Sequence, residues 1–236
     1  MRLDQYIKER FNIQSRNKAN ELIKSNKIKV NNQIINKPSY EVNEYSDIEI
    51  LEEDFYVSRA AYKLKYFLEE IPKLKLENKN ALDIGSSTGG FTQILLEQNI
   101  KHVTCVDVGS NQLHERIKDR VKITFFENTD IRDFKSIEAF DIVTCDVSFI
   151  SILNIIKDIN RLSSKEIIIL FKPQFEVGTN VKRDKKGVVK DKKAIQKARE
   201  NFITQTQVLD WKLNYSSMSK LQGKDGNEEE LFYFSK

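Results

Sequence analysis

The chain has 236 residues, 39% of them hydrophobic, and a formal net charge of +4. That length suits one large domain with a smaller one, and the apolar content argues against wholesale disorder. No run approaches the roughly 18 apolar residues of a membrane span, and the amphipathic opening MRLDQYIKERFN is unlike a signal peptide. A cytoplasmic protein with no membrane partner is expected.

Residues 1–40 carry nine Lys/Arg against three acids, a surplus of six, which leaves the rest of the chain at minus two. Such asymmetry suggests a phosphate-facing module joined to a near-neutral body. Within this stretch, residues 2–10 read as a helix with Leu3, Tyr6 and Ile7 on one face. Ser15 can cap a second helix, 16–25, that turns Ala19, Leu22 and Ile23 inward. KIKVNNQIINK then alternates about the turn pair Asn31-Asn32 as two short strands, and residues 46–51 make another. The predicted boundaries are a module over 1–51, a linker over 52–57 and a larger domain over 58–236. All eight glycines lie at or after Gly85, in agreement with two parts of different character.

The larger part begins with a helix over 59–71, stopped by Pro72. Apolar runs at 81–84, 103–108, 123–126, 142–147 and 167–171 then alternate with helical patterns at 90–98, 111–118, 150–162 and 192–208. That alternation predicts an α/β fold with a parallel, doubly wound sheet. Two last strands, 211–218 and 230–234, should pair antiparallel at its edge. Cys105, Cys145, His102 and His114 lack a zinc-ligand spacing, so no metal is expected and the cysteines read as buried thiols.

The most informative segment is ALDIGSSTGGFT, residues 81–92, where a strand runs into a glycine-rich turn and a helix opens at once. Glycines let backbone approach a ligand closely, and open α/β sheets bind ligands at the carboxyl ends of their strands. The spacing D-x-G-x-x-x-G-G differs from the dinucleotide G-x-G-x-x-G, and no Walker lysine follows. A carboxylate at Asp83 repels a pyrophosphate but suits a methionine ammonium, so S-adenosylmethionine is the expected cofactor. Gly85, Ser86, Thr88, Gly89, Gly90 and Phe91 would form its loop. Asp107, ending the second strand, is placed for ribose hydroxyls and Asp130, after the third, for an adenine amine.

Four further segments put ionisable groups at element ends: SRAAYKL with Lys63, CDVSFI with Asp146, FKPQFE with Lys172 and GNEEE with an acid near the terminus. Together YVSRAAYKL, DIGSSTGGFT, DVSFIS, FKPQFEVG and KGVVKD resemble the hemolysin A (TlyA) family over nearly the whole chain. That family joins an S4-type RNA-binding domain to an FtsJ-like ribose 2′-O-methyltransferase domain. Arg2-Leu3-Asp4, SRNKA and Lys29-Val30-Asn31 resemble the S4 pattern. The resemblance implies a Rossmann-like methyltransferase sheet and a catalytic tetrad of Lys63, Asp146, Lys172 and a glutamate. The G-N-x-E pattern makes that glutamate Glu229 rather than Glu228 or Glu230. It also implies ribosomal RNA in the ribosomal subunit as partner, methylated at a cytidine 2′-hydroxyl of the large subunit and, in longer forms, of the small subunit as well. This chain resembles the shorter form.

The tetrad is chemically coherent. A ribose hydroxyl needs a base as the methyl group arrives, and a lysine can serve only when its neutral form is favoured by desolvation and a second ammonium nearby. Lys172 is the candidate base, Lys63 the neighbouring charge, and Asp146, which also faces the donor, and Glu229 the orienting acids. Arg2, Arg16, Lys18, Lys27, Lys29 and Arg59 are the candidate RNA contacts. The basic run 182–193 is a further candidate contact or else a solvated loop. The competing classes are a membrane-damaging hemolysin and a non-catalytic binder of assembling ribosomes. No residue pattern addresses oligomeric state, and a monomer is the default expectation.

Overall fold

The computed structural model describes residues 1–11, 13, 15–51, 56–118 and 121–236. They form two compact units, Met1–Phe55 and Tyr56–Lys236. Most of the expected linker, residues 52–55, lies outside the described residues. Its last two residues are not linker: Tyr56 and Val57 are buried in the second unit, and the Val57 amide donates to Gln93 Oε1 at 2.9 Å.

The first unit has two helices, α1 (Leu3–Arg10) and α2 (Arg16–Lys24). Ser15 caps α2, its hydroxyl accepting from the Lys18 amide at 3.2 Å. A three-stranded antiparallel sheet follows, with β1 (Ile28–Val30) between β2 (Gln33–Ile34) and β3 (Ile48–Ile50). Asn31 and Asn32 form the β1–β2 turn with φ of 47° and 66°, the left-handed pair a two-residue hairpin needs and asparagine tolerates. The apolar faces of both helices close over β1 around Leu3, Ile7, Ala19, Leu22, Ile23, Ile28 and Val30.

The second unit is a seven-stranded sheet flanked by helices, the α/β class expected. Its elements in chain order are α3 (Arg59–Glu70), β4 (Asn80–Ile84), α4 (Gly90–Glu97), β5 (His102–Val106), α5 (Glu115–Lys118), β6 (Ile123–Phe126), β7 (Phe140–Cys145), α6 (Ile156–Leu162), β8 (Ser163–Phe171), α7 (Pro173–Glu176), α8 (Lys192–Val208), β9 (Lys212–Met218) and β10 (Glu230–Ser235). The order is β6-β5-β4-β7-β8-β10-β9. The first five strands are parallel, and β10 inserts antiparallel between β8 and β9. One face packs on α3 and α4 through Ala61, Leu64, Phe67, Phe91, Ile94 and Leu95. The other packs on α6 and α8 through Ile156, Ile159, Leu162 and Phe202.

The chain reverses its strand order between β4 and β7, so the carboxyl ends of β4, β5, β7 and β8 open a crevice there. Among the described residues no helix is long and apolar enough to cross a membrane.

Candidate active site

β4 delivers the glycine-rich turn to this crevice. Gly85 has φ +75°, and a side chain on it would sit 2.8 Å from the Asp146 carbonyl oxygen. The turn therefore lies directly against the end of β7, and only glycine fits there. Gly90 opens α4 hard against α3, where an added Cβ would come within 2.9 Å of the Ala61 amide nitrogen. Strand alternation sends Asp83 away from the crevice. It is wholly buried, accepting from Thr92 Oγ1 at 2.6 Å and Thr144 Oγ1 at 2.9 Å. Asp83, expected beside a ligand ammonium, thus spends its oxygens on two threonines and lines neither cavity of the crevice. Burial pushes its carboxyl up to about 7, against the threonine hydrogen bonds that pull it down.

Asp107 follows β5 and is half-buried. Its two oxygens accept from the Ser87 amide at 2.8 Å and the Gly109 amide at 2.7 Å, which ties the glycine loop to the β5 end. Asp130 is held by Arg132 through Nε at 2.9 Å and Nη2 at 2.5 Å. That pairing lowers its carboxyl from the ordinary value.

Two adjoining cavities occupy the crevice. The first, about 310 Å³, has apolar walls from Val106, Val108, Ile131 and Phe149, with Asp107 and Asp130 on its rim. The second, about 220 Å³, is lined by Ser86, Ser87, Thr88, Gly90, Phe91 and Lys172. Gly85, Ser87, Asp146 and Ser148 border both. A flat apolar slot beside carboxylates, continuous with a small polar one, fits the base, ribose and amino-acid ends of S-adenosylmethionine. Phe149 stands at the mouth, 93% exposed and with φ +67°, a strained conformation for a bulky residue. Its ring lies 5.3 Å from that of Phe175.

The four groups expected to act together form two ion pairs, and one of these, Lys172 with Asp146, lines the second cavity. Lys63, from α3, bonds Glu229 just before β10, both buried. Lys172 Nζ, at the end of β8, lies 2.6 Å from Asp146 Oδ1, at the end of β7. The Lys172 ammonium also donates to Ser148 Oγ at 2.9 Å, a contact the sequence reading did not single out. Burial raises the Asp146 carboxyl, while Lys172 and then Lys63 pull it back and Glu229 opposes them, so one field links all four groups. Gln174 Nε2 reaches Glu229 Oε1 at 3.5 Å. Glu176 accepts from Ser151 Oγ at 2.6 Å and the Ile152 amide at 2.9 Å, pinning the loop after β7 to α7. Burial raises the Glu176 carboxyl too. Glu230 instead pairs with Arg199 at 2.7 Å, away from the tetrad.

In the first unit a single buried acid organises the cations. Asp4, 1% exposed, accepts from Arg2 Nε at 3.0 Å and Arg16 Nε at 2.8 Å, leaving both arginines half-exposed. Lys18 pairs with Glu21 at 2.9 Å and Lys29 with Glu49 at 3.2 Å, and Lys27 is exposed. Arg59 belongs to the second unit, where its guanidinium donates to the Gln222 carbonyl at 2.7 Å.

Comparison with known proteins bears on the two units as wholes. Residues 56–236 match the FtsJ-like methyltransferase family and residues 1–47 the S4 domain. Over its full length the chain is 48% identical to the whole of the 23S rRNA (cytidine-2′-O)-methyltransferase TlyA of Campylobacter jejuni. It is 32% identical to the 16S/23S rRNA (cytidine-2′-O)-methyltransferase TlyA of Mycobacterium tuberculosis, covering 97% of this chain and 87% of that one. A solved structure from Streptococcus thermophilus, described as a hemolysin, aligns with all of this chain and 88% of its own at TM-score 0.72 and 26% identity.

Proposed function

The chain belongs to the hemolysin A (TlyA) family of FtsJ-like methyltransferases, and on that premise we propose that it methylates a cytidine 2′-hydroxyl of large-subunit ribosomal RNA. The observation that supports this most is the pairing of Lys63 with Glu229 and Lys172 with Asp146 beside the glycine-rich turn. Acting on ribosomes places the enzyme in the cytoplasm.

When bound, S-adenosylmethionine supplies an electrophilic methyl group. Gly85, Ser86, Thr88, Gly89, Gly90 and Phe91 would hold its amino-acid end, with Asp107 at the ribose and Asp130 at the base. Lys172 lines the polar cavity and takes the proton from the ribose oxygen. A charged lysine cannot do so, which gives Asp146 its role. Burial raises the Asp146 carboxyl, so this acid is suited to receive a proton passed on from its lysine partner. Ser148 turns that amine toward the cavity. Lys63, fixed by buried Glu229, supplies a second donor that orients the incoming hydroxyl. Alignment of the hydroxyl with the methyl group supplies most of the remaining acceleration.

The test is transfer of labelled methyl groups to separated ribosomal subunits, followed by mapping. The expected product is 2′-O-methylcytidine in the large-subunit RNA. A product carrying the label on a base, or transfer that survives Lys172→Ala, would overturn the assignment.

A further inference from the structure

From the segment after α7 into the first two residues of α8, residues 182–193 carry seven bases and two acids. They fold as a strap, not an open loop. Arg183 turns back and donates through Nη2 to the carbonyls of Gln174 at 2.8 Å and Gly178 at 3.0 Å. Asp184 turns inward too, accepting from the amides of Lys186 at 2.8 Å and Val188 at 3.0 Å and pairing with Lys190 at 3.2 Å. A backbone bridge from Arg183 to Val189 closes the turn. Val189 is buried, and its amide donates to Asn227 Oδ1 at 3.1 Å. Asp191 is spent on the cap of α8, accepting from the Ala194 amide at 3.0 Å.

Both acids are therefore consumed locally, Asp184 within the strap and Asp191 on the start of α8. Lys182, Lys185, Lys186, Lys192 and Lys193 are exposed and have no acidic partner among the described residues. Crowded like charges repel, so this surface does not serve the stability of the fold. Its two anchors are informative. Gln174 lies two residues from Lys172, and Asn227, itself buried, lies two residues from Glu229. The strap is tied to both ion pairs of the tetrad. Val189 is buried and Val188 half-buried, so the strap offers little apolar surface for a lipid to take up. Lysines act as point charges suited to phosphates.

We propose that this strap is a phosphate-contacting arm for the RNA strand that flanks the acceptor ribose, held in register with the tetrad by Arg183 and Asn227. The proposal rests on the RNA-methylation reading above and adds a second RNA surface to that of the S4 unit.

The test compares the full chain with a Lys182→Gln, Lys185→Gln, Lys186→Gln triple variant. Binding to purified large ribosomal subunits is measured across a salt series, and methyl transfer separately. Contacts of the S4 unit are common to both proteins and cancel. Removing three phosphate contacts should weaken binding about tenfold and flatten the log–log salt slope by about 2, at about 0.7 per contact on a single strand. KM should rise by a similar factor with kcat unchanged, and S-adenosylhomocysteine affinity, unchanged as well, reports an intact fold. Equal binding and equal salt slopes in the two proteins would overturn the strap assignment. Absence of transfer by the unmodified chain would instead overturn the methylation reading, while weaker binding by the variant would still support the arm.

Discussion

Asp4 in the N-terminal unit and Asp146 and Asp83 in the C-terminal unit are all acids removed from water, yet they behave in opposite ways. Asp4 touches two guanidinium groups whose other faces remain in solvent, and its carboxyl is drawn down to about 2, chiefly by the hydrogen bond from Arg2. Asp146 touches a lysine that is itself nearly buried, and burial wins, so its carboxyl rises. Asp83 touches only neutral groups of Thr92 and Thr144, and burial raises it to about 7. The difference lies in who solvates the partner. Arginines left half in water neutralise an acid cheaply and become fixed cations for presentation. A lysine taken out of water with its acid offsets less of the cost of burying that acid.

The comparison predicts a division of labour, and the largest effect should come from breaking the labile pair. Lys172→Ala should lower methyl transfer by about 10²- to 10⁴-fold, the usual contribution of a positioned base, with subunit binding little changed. Arg16→Ala should do the reverse, raising KM several-fold at constant kcat, because phosphate contacts position the partner. Single-turnover transfer and subunit binding on both variants decide the matter. A fall in the chemical rate of Arg16→Ala as deep as that of Lys172→Ala would erase the distinction.

The next effect is on stability. The folded Asp83 carboxyl lies above its unfolded value of 3.8, so it prefers to be protonated in the native state. Its cost to folding is absent below that value, grows as pH rises, and is complete above about 7. Asp83→Asn lacks this titration. Relative to the unmodified chain, its stability should improve by on the order of 3 kcal/mol between pH 4 and pH 8. Urea unfolding at the two pH values measures it, and a constant difference would show that Asp83 is not starved of solvation.

These contrasts were partly visible in the order of residues. The helix over 192–208 and the Asn31-Asn32 hairpin follow from local periodicity and local turn chemistry, and the structure places both as expected. The five parallel strands announce themselves as apolar runs because both of their faces are covered. The place of β10 between β8 and β9 depends on pairing across the sheet, which no local pattern encodes. The helix expected over 111–118 keeps only Glu115–Lys118; before it Asn111 is left-handed at φ 53° and the His114 amide donates to the Thr88 carbonyl of the glycine loop. Asp83 shows the same limit within the site. Its residue type suggested a ligand contact, but alternation along β4 fixes which face it occupies, and that face is covered by α4. The pairing of Lys172 with Ser148 was likewise out of reach, since it joins the ends of two strands.

The smallest effect belongs to Asp4. Its folded carboxyl lies below the unfolded value, so its contribution to stability is complete above about pH 4 and fades as pH falls through about 2. The arginines it holds are half in water, and after screening the contribution is about 1 kcal/mol. Asp4→Asn should therefore loosen α1 by that amount at pH 6, about a fivefold faster amide exchange across Leu3–Arg10, and by progressively less toward pH 2. The same substitution frees Arg2 and Arg16 from their shared anchor, so subunit binding should weaken a few-fold while the chemical rate stays constant. Faster exchange of α1 with unaltered binding would mean that Asp4 holds the helix alone and that the arginines need no register to meet phosphates.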